Sequence, residues 1–267
     1  MDKNSILEND LIIGKLHAQN RVVFQPMEGC DCNTDGSPSE LTEKKYLSFA
    51  LGGAGIIWFE ANAVCPEGRT SERQMMLTKE NVKVFSDLVK KIKLIAKAEC
   101  GFEPICILQL THSGRQSIKP ICAYHNTEYE KTRPINDENI VSDSYLDSLS
   151  QKYANSALLA KEAGFDGVDI KCCHGYLFQE FLSAYKRKGK YGGPLKNRAR
   201  LYFDCFKAVK NVVGDDFLVA SRFDPTDVIP KPFGFGTNKK GEINLKEAKK
   251  ILKHLYNDGL RLVNITI

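Results

Sequence analysis

Hydrophobic residues along the chain alternate between a spacing of two, typical of strands, and a spacing of three to four, typical of helices. The segment 55–64 (GIIWFEANAV) has the pattern of a buried strand, whereas Phe85, Leu88 and Ile92 lie on one face of a helix. A small hairpin with a turn near Gly14 comes first. The pattern then predicts six strands separated by helical segments, at residues 21–26, 55–64, 104–110, 167–172, 217–223 and 261–267.

Capping residues predict where several helices begin. Ser39 is expected to cap the first helix, Asp143 to open a later one, and Asn244 to cap the last. Another helix is predicted over 198–213. Residues 111–141 show no sustained period, and a stretch of this length inside a compact domain is usually a functional loop or a lid.

Strands that alternate with helices, without hairpins between them, imply parallel strands joined by right-handed crossovers. Such units build either a doubly wound open sheet or a (β/α)₈ barrel of the TIM type. A doubly wound nucleotide-binding sheet would have a GxGxxG turn after its first strand, and here the turn is PMEGCDCNTDG. We therefore predict an α/β TIM-type barrel with an N-terminal hairpin and about six of the eight βα units. We expect a single domain over residues 1–267 that is incomplete at its C-terminal end.

Composition argues against a membrane-spanning, a secreted and a nucleic-acid-binding protein. Of the 267 residues, 42% are hydrophobic and 27% charged, and the longest apolar runs have about seven residues, whereas a membrane span needs ~20. The first ten residues lack the apolar core and cleavage site of a secretory signal. The nine cysteines are irregularly spaced, which favours reduced thiols in a cytoplasmic protein. The net charge of +5 reflects lysines scattered on helix surfaces, so no nucleic-acid partner is expected.

In a barrel, the residues at the carboxyl ends of the strands line the active site. Polar residues at these ends are Gln25, Glu28, Glu60, Asn62, Gln109, His112, Arg115, Lys171, His174, Tyr176, Arg222, Asp224, Asn264 and Thr266. The set is rich in hydrogen-bond donors and lacks the cluster of Asp, Glu and His that a catalytic metal requires. We therefore expect no metal, and an organic cofactor or an anionic substrate instead.

The segment 171–176 (KCCHGY) is the densest group of reactive side chains. Lys171 and His174 can bind a carbonyl oxygen and stabilise the negative charge that develops on it. Tyr176, a phenol with an ordinary pKa of about 10, can donate a proton. A structural alternative is that the histidine and the tyrosine bond the loop backbone. A further alternative is a Schiff-base lyase or aldolase in which Lys171 attacks a carbonyl carbon, as a desolvated lysine can.

Distinctive segments occur in order along the chain: NRVV at 20–23, PM at 26–27, FEA at 59–61, PEGR at 66–69, QLTHSGR at 109–115, AGFDGVD at 163–169, HGYL at 174–177, EFLS at 180–183 and YGG at 191–193. Together they resemble the Old Yellow Enzyme family of FMN-dependent NAD(P)H:flavin oxidoreductases, which includes 2,4-dienoyl-CoA reductase-like enzymes. The resemblance implies a barrel with FMN across its mouth and a hairpin that plugs its bottom. It also implies hydride transfer from NADH or NADPH, through the flavin, to the activated C=C bond of a small α,β-unsaturated substrate.

The resemblance assigns roles to individual residues. In the family, a backbone segment and a small residue flank the flavin ring and a glutamine bonds its pyrimidine edge; the matching residues are Pro26, Met27, Ala61 and Gln109. Lys171 and His174 fall on the two positions that bind the substrate carbonyl, and Tyr176 falls on the position that protonates the α-carbon. A cationic Lys171 would bind an enolate-like oxygen more strongly than the ground-state carbonyl, as catalysis requires.

Further assignments concern strands three and five. His112 and Arg115, at and just beyond the end of the third strand, are expected to contact the substrate. On the fifth strand the family often has an arginine that faces the flavin, and alignment places Val219 there. Arg222 lies three residues on and takes this cofactor-binding role if the strand end is bulged, because side chains alternate between the two faces of a regular strand.

The sequence departs from the family pattern in several respects. Lys171 replaces the usual histidine, which bears on the range of substrates. Strands seven and eight, whose loops bind the cofactor phosphate, are not among the predicted strands. The second domain of the dienoyl-CoA reductases, with its 4Fe-4S cluster and second flavin, is also not found. An inactive barrel fragment without flavin is therefore a further alternative. The oligomeric state stays open, with a homo-oligomer as one outcome.

Overall fold

The computed structural model describes residues 5–267, so the first four residues of the predicted domain lie outside the described residues. After one 3-10 turn at Ile6–Glu8, an antiparallel hairpin is formed by β1 (Leu11–Ile13) and β2 (Leu16–Ala18). Gly14 in the turn has a φ of 62°, a conformation that glycine adopts without steric cost. The predicted hairpin is confirmed.

Six parallel strands form the main sheet, in the order in which they occur along the chain. They are β3 (Val23–Phe24), β4 (Ile56–Ala63), β5 (Ile105–Thr111), β6 (Gly167–Ile170), β7 (Leu218–Phe223) and β8 (Val263–Ile265). Each overlaps one predicted strand. A doubly wound sheet changes direction partway through its strand order, so the unbroken order excludes that alternative. The predicted barrel-type fold with six units is confirmed.

The helices of the described chain are α1 (Glu40–Leu51), α2 (Val82–Cys100), α3 (Thr127–Glu130), α4 (Asp143–Glu162), α5 (Leu177–Leu182), α6 (Leu195–Arg198), α7 (Arg200–Val213) and α8 (Lys246–Asn257). Ser39 caps α1 as predicted. Asp143 is the first residue of α4, and Ser142 is its cap. The residue at the cap of α8 is Leu245, so the cap predicted at Asn244 is wrong by one residue. Among the helices between residues 5 and 267, none combines the length and the apolar character needed to cross a membrane.

Side chains of the sheet alternate between a face covered by helices and an inner face. The helix-covered face belongs to the large apolar core, with Val168 and Val219 among its members. The inner face has a smaller cluster of its own, formed by Ile56, Trp58, Ile105, Ile107, Leu218 and Ala220 together with Ile13 and Ala18 of the hairpin. The hairpin therefore closes the amino-terminal end of the inner face, as the resemblance implies.

Two long connections leave the carboxyl ends of the strands. The first follows β5 and contains 3-10 turns at Gly114–Gln116 and Asp137–Asn139, with α3 between them. The second follows β7 and runs to α8. A cavity of about 290 Å³ lies between them, lined among others by Tyr129 of the first connection, Thr226 of the second, and His174. The connections thus border the end of the barrel where the predicted site lies.

Candidate active site

A row of residues in register crosses the inner face near the carboxyl ends of β4 to β7. Its members are Ala61, Gln109, Asp169 and Ala220. Because Ala220 belongs to the inner apolar cluster, the row faces inward. Lys171 and Arg222 each come two residues after a member of the row and face the same way. The sheet therefore brings several of the predicted site residues to one surface.

A β-bulge in β4 decides which residue of this strand joins the row. The register with β5 shifts at Glu60, so that Ala61 takes the place opposite Gln109. The Glu60 carboxylate instead accepts hydrogen bonds from Lys45 Nζ at 2.6 Å and Tyr46 Oη at 3.2 Å, both on α1. A small, fully buried side chain thus lies at the position that the resemblance assigns to the flavin.

Asp169 is the centre of a hydrogen-bond cluster in this row. Its carboxylate accepts bonds from Trp58 Nε1 at 3.0 Å and Gln109 Nε2 at 2.6 Å. It also accepts a bond from the backbone amide of Arg222 at 2.5 Å. Burial raises the pKa of Asp169 to about 6. Sequence reasoning missed this residue, although its place two residues before Lys171 on one strand was a signal that could have found it.

Two buried polar atoms of this cluster have no hydrogen-bond partner among the described residues, namely Gln109 Oε1 and Arg222 Nε. Buried polar atoms are normally paired, with protein, water or a ligand, so these two atoms on the inner face are free to pair with a bound group. One accepts a hydrogen bond and the other donates one. The pyrimidine edge of a flavin, which has an N–H group and carbonyl oxygens, can satisfy both. The residues present therefore fit the FMN that the resemblance implies.

Arg222 links the two edges of the sheet. Its guanidinium donates to the Pro26 carbonyl at 3.1 Å and to Thr266 Oγ1 at 3.4 Å. Met27, beside Pro26, is 68% exposed at this rim. Val219 belongs to the helix-covered core, so the expectation that it takes the inward position is wrong. Arg222 faces inward without a bulge, because it shares the alternation of the inner cluster.

Lys171 and Tyr176 lie side by side just beyond β6. Lys171 Nζ is 3.7 Å from the centre of the Tyr176 ring and 3.9 Å from Glu28 Oε2. The Tyr176 hydroxyl donates to the same carboxylate oxygen at 2.9 Å. Burial lowers the pKa of Lys171, while burial and the Glu28 charge raise the pKa of Tyr176. Titratable groups perturbed in this way are typical of functional sites.

His174 lies at the exposed edge of this group. Its Nε2 is 3.3 Å from Thr266 Oγ1. Burial, together with the positive charges of Lys171 and Arg222, lowers the pKa of His174 to about 4. The imidazole is therefore neutral at pH 7 and can form a hydrogen bond without adding charge. The structure thus brings His174, Lys171 and Tyr176 together at the carboxyl end of β6.

Strained backbone occurs at the same end of the barrel. In the described part of the chain, three residues other than glycine have a positive φ: Cys30 at 49°, His174 at 60° and Val228 at 60°. They lie in the connections that follow β3, β6 and β7. Such conformations cost energy and persist where the surrounding structure holds them, most often at functional sites.

The structure gives His112 and Arg115 other contacts than those predicted. His112 is 1% exposed, and its ring lies 2.8 Å from Tyr145 Oη. Arg115 is fully buried and donates through Nε to Glu180 at 3.1 Å, since a buried guanidinium requires a carboxylate partner. These contacts hold the connection after β5 against α4 and α5, and the substrate contacts expected of His112 and Arg115 stay a prediction.

Comparisons with known proteins show to which family this chain is similar. The sequence profile of the NADH:flavin oxidoreductase / NADH oxidase family matches residues 9–264. The NADH oxidase of Thermoanaerobacter brockii is 28% identical over 95% of this chain, which spans 38% of that protein's length. The NADPH dehydrogenase of Listeria welshimeri serovar 6b is 30% identical over 93% of this chain, which spans 69% of that protein.

The fold also matches solved structures. The crystal structure of Old Yellow Enzyme from Pichia sp. AKU4542 has a TM-score of 0.80 over 98% of this chain and 71% of its own, at 24% identity. The family description and the relatives' names support FMN with NADH or NADPH, so the predicted oxidoreductase class and cofactors are confirmed at the level of the family. This chain belongs to the NADH:flavin oxidoreductase / NADH oxidase family, as its resemblance to the Old Yellow Enzymes predicted.

Proposed function

We propose that this chain carries the site of an FMN-dependent NAD(P)H oxidoreductase that reduces the activated C=C bond of a small α,β-unsaturated substrate. One observation carries the proposal: Lys171, His174 and Tyr176 converge beside polar atoms of Gln109 and Arg222 that have no partner within residues 5–267. Bound FMN supplies the hydride chemistry that no side chain can perform. The protein binds and orients the reactants and stabilises charge.

Lys171 is proposed to bind the carbonyl oxygen of the substrate. Lys171 is only 4% exposed. Because its positive charge is largely removed from water, it interacts more strongly with a nearby oxygen. Negative charge grows on that oxygen as the alkene is reduced, so the contact with Lys171 strengthens towards the transition state. His174, neutral at pH 7, adds a hydrogen bond to the same oxygen.

Tyr176 is proposed to give a proton to the α-carbon. Its pKa lies above the ordinary value, so the phenol is protonated at neutral pH and available as a general acid. The same shift means that its anion is poorly stabilised. Lys171 Nζ, 3.7 Å from the ring centre, is the nearby positive charge that can stabilise this anion.

The change Tyr176→Phe tests the proposal, because it keeps the ring and removes the O–H group. We expect alkene reduction to slow about 10²- to 10⁴-fold. Reduction of the flavin by NAD(P)H should stay within about twofold, because no proton passes to the alkene in that half-reaction. Stopped-flow measurements separate the two rates. Equal losses in both would contradict the role of Tyr176.

A matched control lies outside the site. Tyr145 donates its hydroxyl to Glu67 Oε1 at 2.9 Å, the same geometry that Tyr176 has with Glu28. Tyr145→Phe removes this hydrogen bond together with the contact to His112 Nε2, and we expect it to leave the ratio of the two half-reaction rates unchanged. Loss of alkene reduction in both variants would indicate a general structural effect.

A Schiff-base lyase is the second candidate function. One observation favours it: burial lowers the pKa of Lys171, which increases the fraction of free amine. Borohydride treatment with a carbonyl substrate would trap such an intermediate as a stable adduct on Lys171. We expect mass spectrometry to find no adduct, and its presence would support the lyase instead.

We also propose a cytoplasmic location. All nine cysteines are free in the described structure, and seven of them are buried. Free thiols in this number are typical of proteins kept in a reducing compartment. Cell fractionation checks the proposal, and recovery in a secreted or membrane fraction would contradict it.

A further inference from the structure

Glu28 is a carboxylate in the site to which the roles above assign no task. It follows β3, and its side chain is 16% exposed. Oε2 accepts the Tyr176 hydroxyl at 2.9 Å and lies 3.9 Å from Lys171 Nζ. Oε1 accepts a hydrogen bond from the Thr70 hydroxyl at 2.6 Å. The carboxylate is therefore held between the proposed proton donor and the partly exposed Thr70.

The segment that carries Glu28 is fixed to the barrel wall. The backbone amide of Gly29 donates to Glu60 Oε2 at 2.7 Å. Lys45 Nζ lies 2.6 Å from the other oxygen of Glu60 and 3.0 Å from Asp31. These contacts hold the segment just after Glu28, and the bond from Arg222 to the Pro26 carbonyl holds the segment just before it. The fold therefore sets the position of Glu28 relative to Tyr176.

Proton donation by Tyr176 is opposed by the Glu28 charge. Once the phenol has lost its proton, two negative oxygens would stand at the 2.9 Å of the present hydrogen bond. Lys171 offers a single positive charge to both. The opposition disappears when Glu28 carries a proton at the moment that Tyr176 gives its own away.

We propose that Glu28 is a proton relay, which passes a proton to the Tyr176 oxygen as Tyr176 passes its own to the substrate; this inference rests on the proposed function. The α-carbon–hydrogen bond forms as the Tyr176 O–H bond breaks, and a new Tyr176 O–H bond forms as the Glu28 O–H bond breaks. The proton that Glu28 passes on comes from water and is taken up by the carboxylate before the transfer, so the transfer returns Glu28 to the carboxylate that bonds Tyr176 at rest. With the hydride that NAD(P)H supplies to the β-carbon, the substrate gains one hydride and one proton.

The change Glu28→Gln tests the relay, because the amide keeps the size and a hydrogen bond to Tyr176 but cannot deliver a proton. We expect alkene reduction to slow about tenfold or more, with flavin reduction by NAD(P)H within about twofold. In mixtures of H₂O and D₂O, the plot of wild-type rate against deuterium fraction should be curved, because two protons move in the same step. The variant should give a straight line.

Chemical rescue gives a second test. Glu28→Ala removes the carboxyl group and leaves space beside Tyr176. Added formic acid should restore part of the lost rate in this variant and leave Glu28→Gln unchanged, because the amide fills the space. A carboxylate that served only to hold the loop would not be replaced by a free acid.

A binding measurement tests the same charge without turnover. The probe is p-nitrophenolate, an anionic enolate mimic expected to bind at Lys171 and detected by its own absorption. Glu28→Gln removes a negative charge 3.9 Å from Lys171 Nζ, so the variant should bind the probe about threefold tighter or more. Glu67→Gln is the matched control, since Glu67 accepts the Tyr145 hydroxyl outside the site, and should change neither binding nor rate.

The outcomes separate the relay from the proposed function. The relay is overturned if the wild-type rate of alkene reduction changes linearly with deuterium fraction. It is also overturned if Glu28→Gln reduces the alkene at the wild-type rate. The proposed function stands in both cases. No alkene reduction by the wild type overturns both. The wild-type deuterium measurement requires no variant, so it decides the matter even where a variant folds poorly.

Discussion

Asp169 gives a quantitative test of the polar cluster on the inner face. Its carboxyl is fully buried, and its pKa rises from an ordinary 3.8 to about 6 in the folded protein. Between these pH values the folded protein keeps a proton that the unfolded chain has lost. The free energy of unfolding must therefore fall as the pH rises from about 4 through about 6, and then level off.

The size of this effect follows from the shift. A tenfold change in proton affinity corresponds to about 1.4 kcal/mol. The rise in the pKa of Asp169 from 3.8 to about 6 therefore corresponds to about 3 kcal/mol of folding stability, which is lost between pH 4 and 7. The variant Asp169→Asn cannot titrate and lacks this dependence. Its amide also pairs less well with the three donors around it, which adds a penalty of about 1–3 kcal/mol that does not vary with pH.

Urea unfolding of the wild type and Asp169→Asn, at several pH values from 4 to 7, measures the difference directly. Other groups that titrate in this range, such as Glu180 with a pKa of about 7, occur in both proteins and cancel. We expect the advantage of the wild type over the variant to shrink by about 3 kcal/mol across the range. Parallel stability curves would refute the buried, raised-pKa carboxyl at this position.

Further changes test the flavin and substrate contacts. Gln109→Leu should lower the FMN retained after desalting, because it removes the unpaired Oε1; undiminished flavin content would count against that contact. Lys171→Met should weaken binding of phenolate mimics about tenfold or more, because it removes a buried positive charge. His174→Ala should weaken the same binding by a smaller factor, because its ring is neutral at pH 7. Unchanged affinity in both variants would exclude them as carbonyl binders.

The sequence predicted the fold well because the features that define it are repeated and local. Each strand of the main sheet is a short apolar run, and each long helix has an apolar face, so their order could be counted. Helix starts were identified closely: Asp143 opens α4 as predicted, and the cap predicted at Asn244 lies one residue before the observed cap of α8. The short helices α3, α5 and α6 were not predicted, because four to six residues give no sustained period.

The contacts of the site depend on pairing between distant segments, which periodicity does not reveal. Glu28 and Tyr176 are 148 residues apart, and Trp58 and Asp169 are 111 apart. A one-residue bulge at Glu60 decides that Ala61 faces inward, and it has no signal in the alternation of a strand that is buried throughout.

The direction of a side chain at a strand end is also not determined by its position in the sequence. His112 lies at the end of the buried strand β5, where strand-end position alone suggests a site residue. Its ring and the Arg115 guanidinium turn into the protein, because partners on α4 and α5 are available there. The register of β7 likewise placed Arg222 inward, although alignment had favoured Val219.

The central claim is that the inner face of this chain holds a flavin. The direct measurement is the visible absorption spectrum of the purified chain, after FMN has been added and the excess removed by desalting. The account predicts that a flavin band is retained, and that Gln109→Leu retains less of it. A colourless wild-type protein would contradict the account and support the alternative of a barrel fragment that binds no flavin.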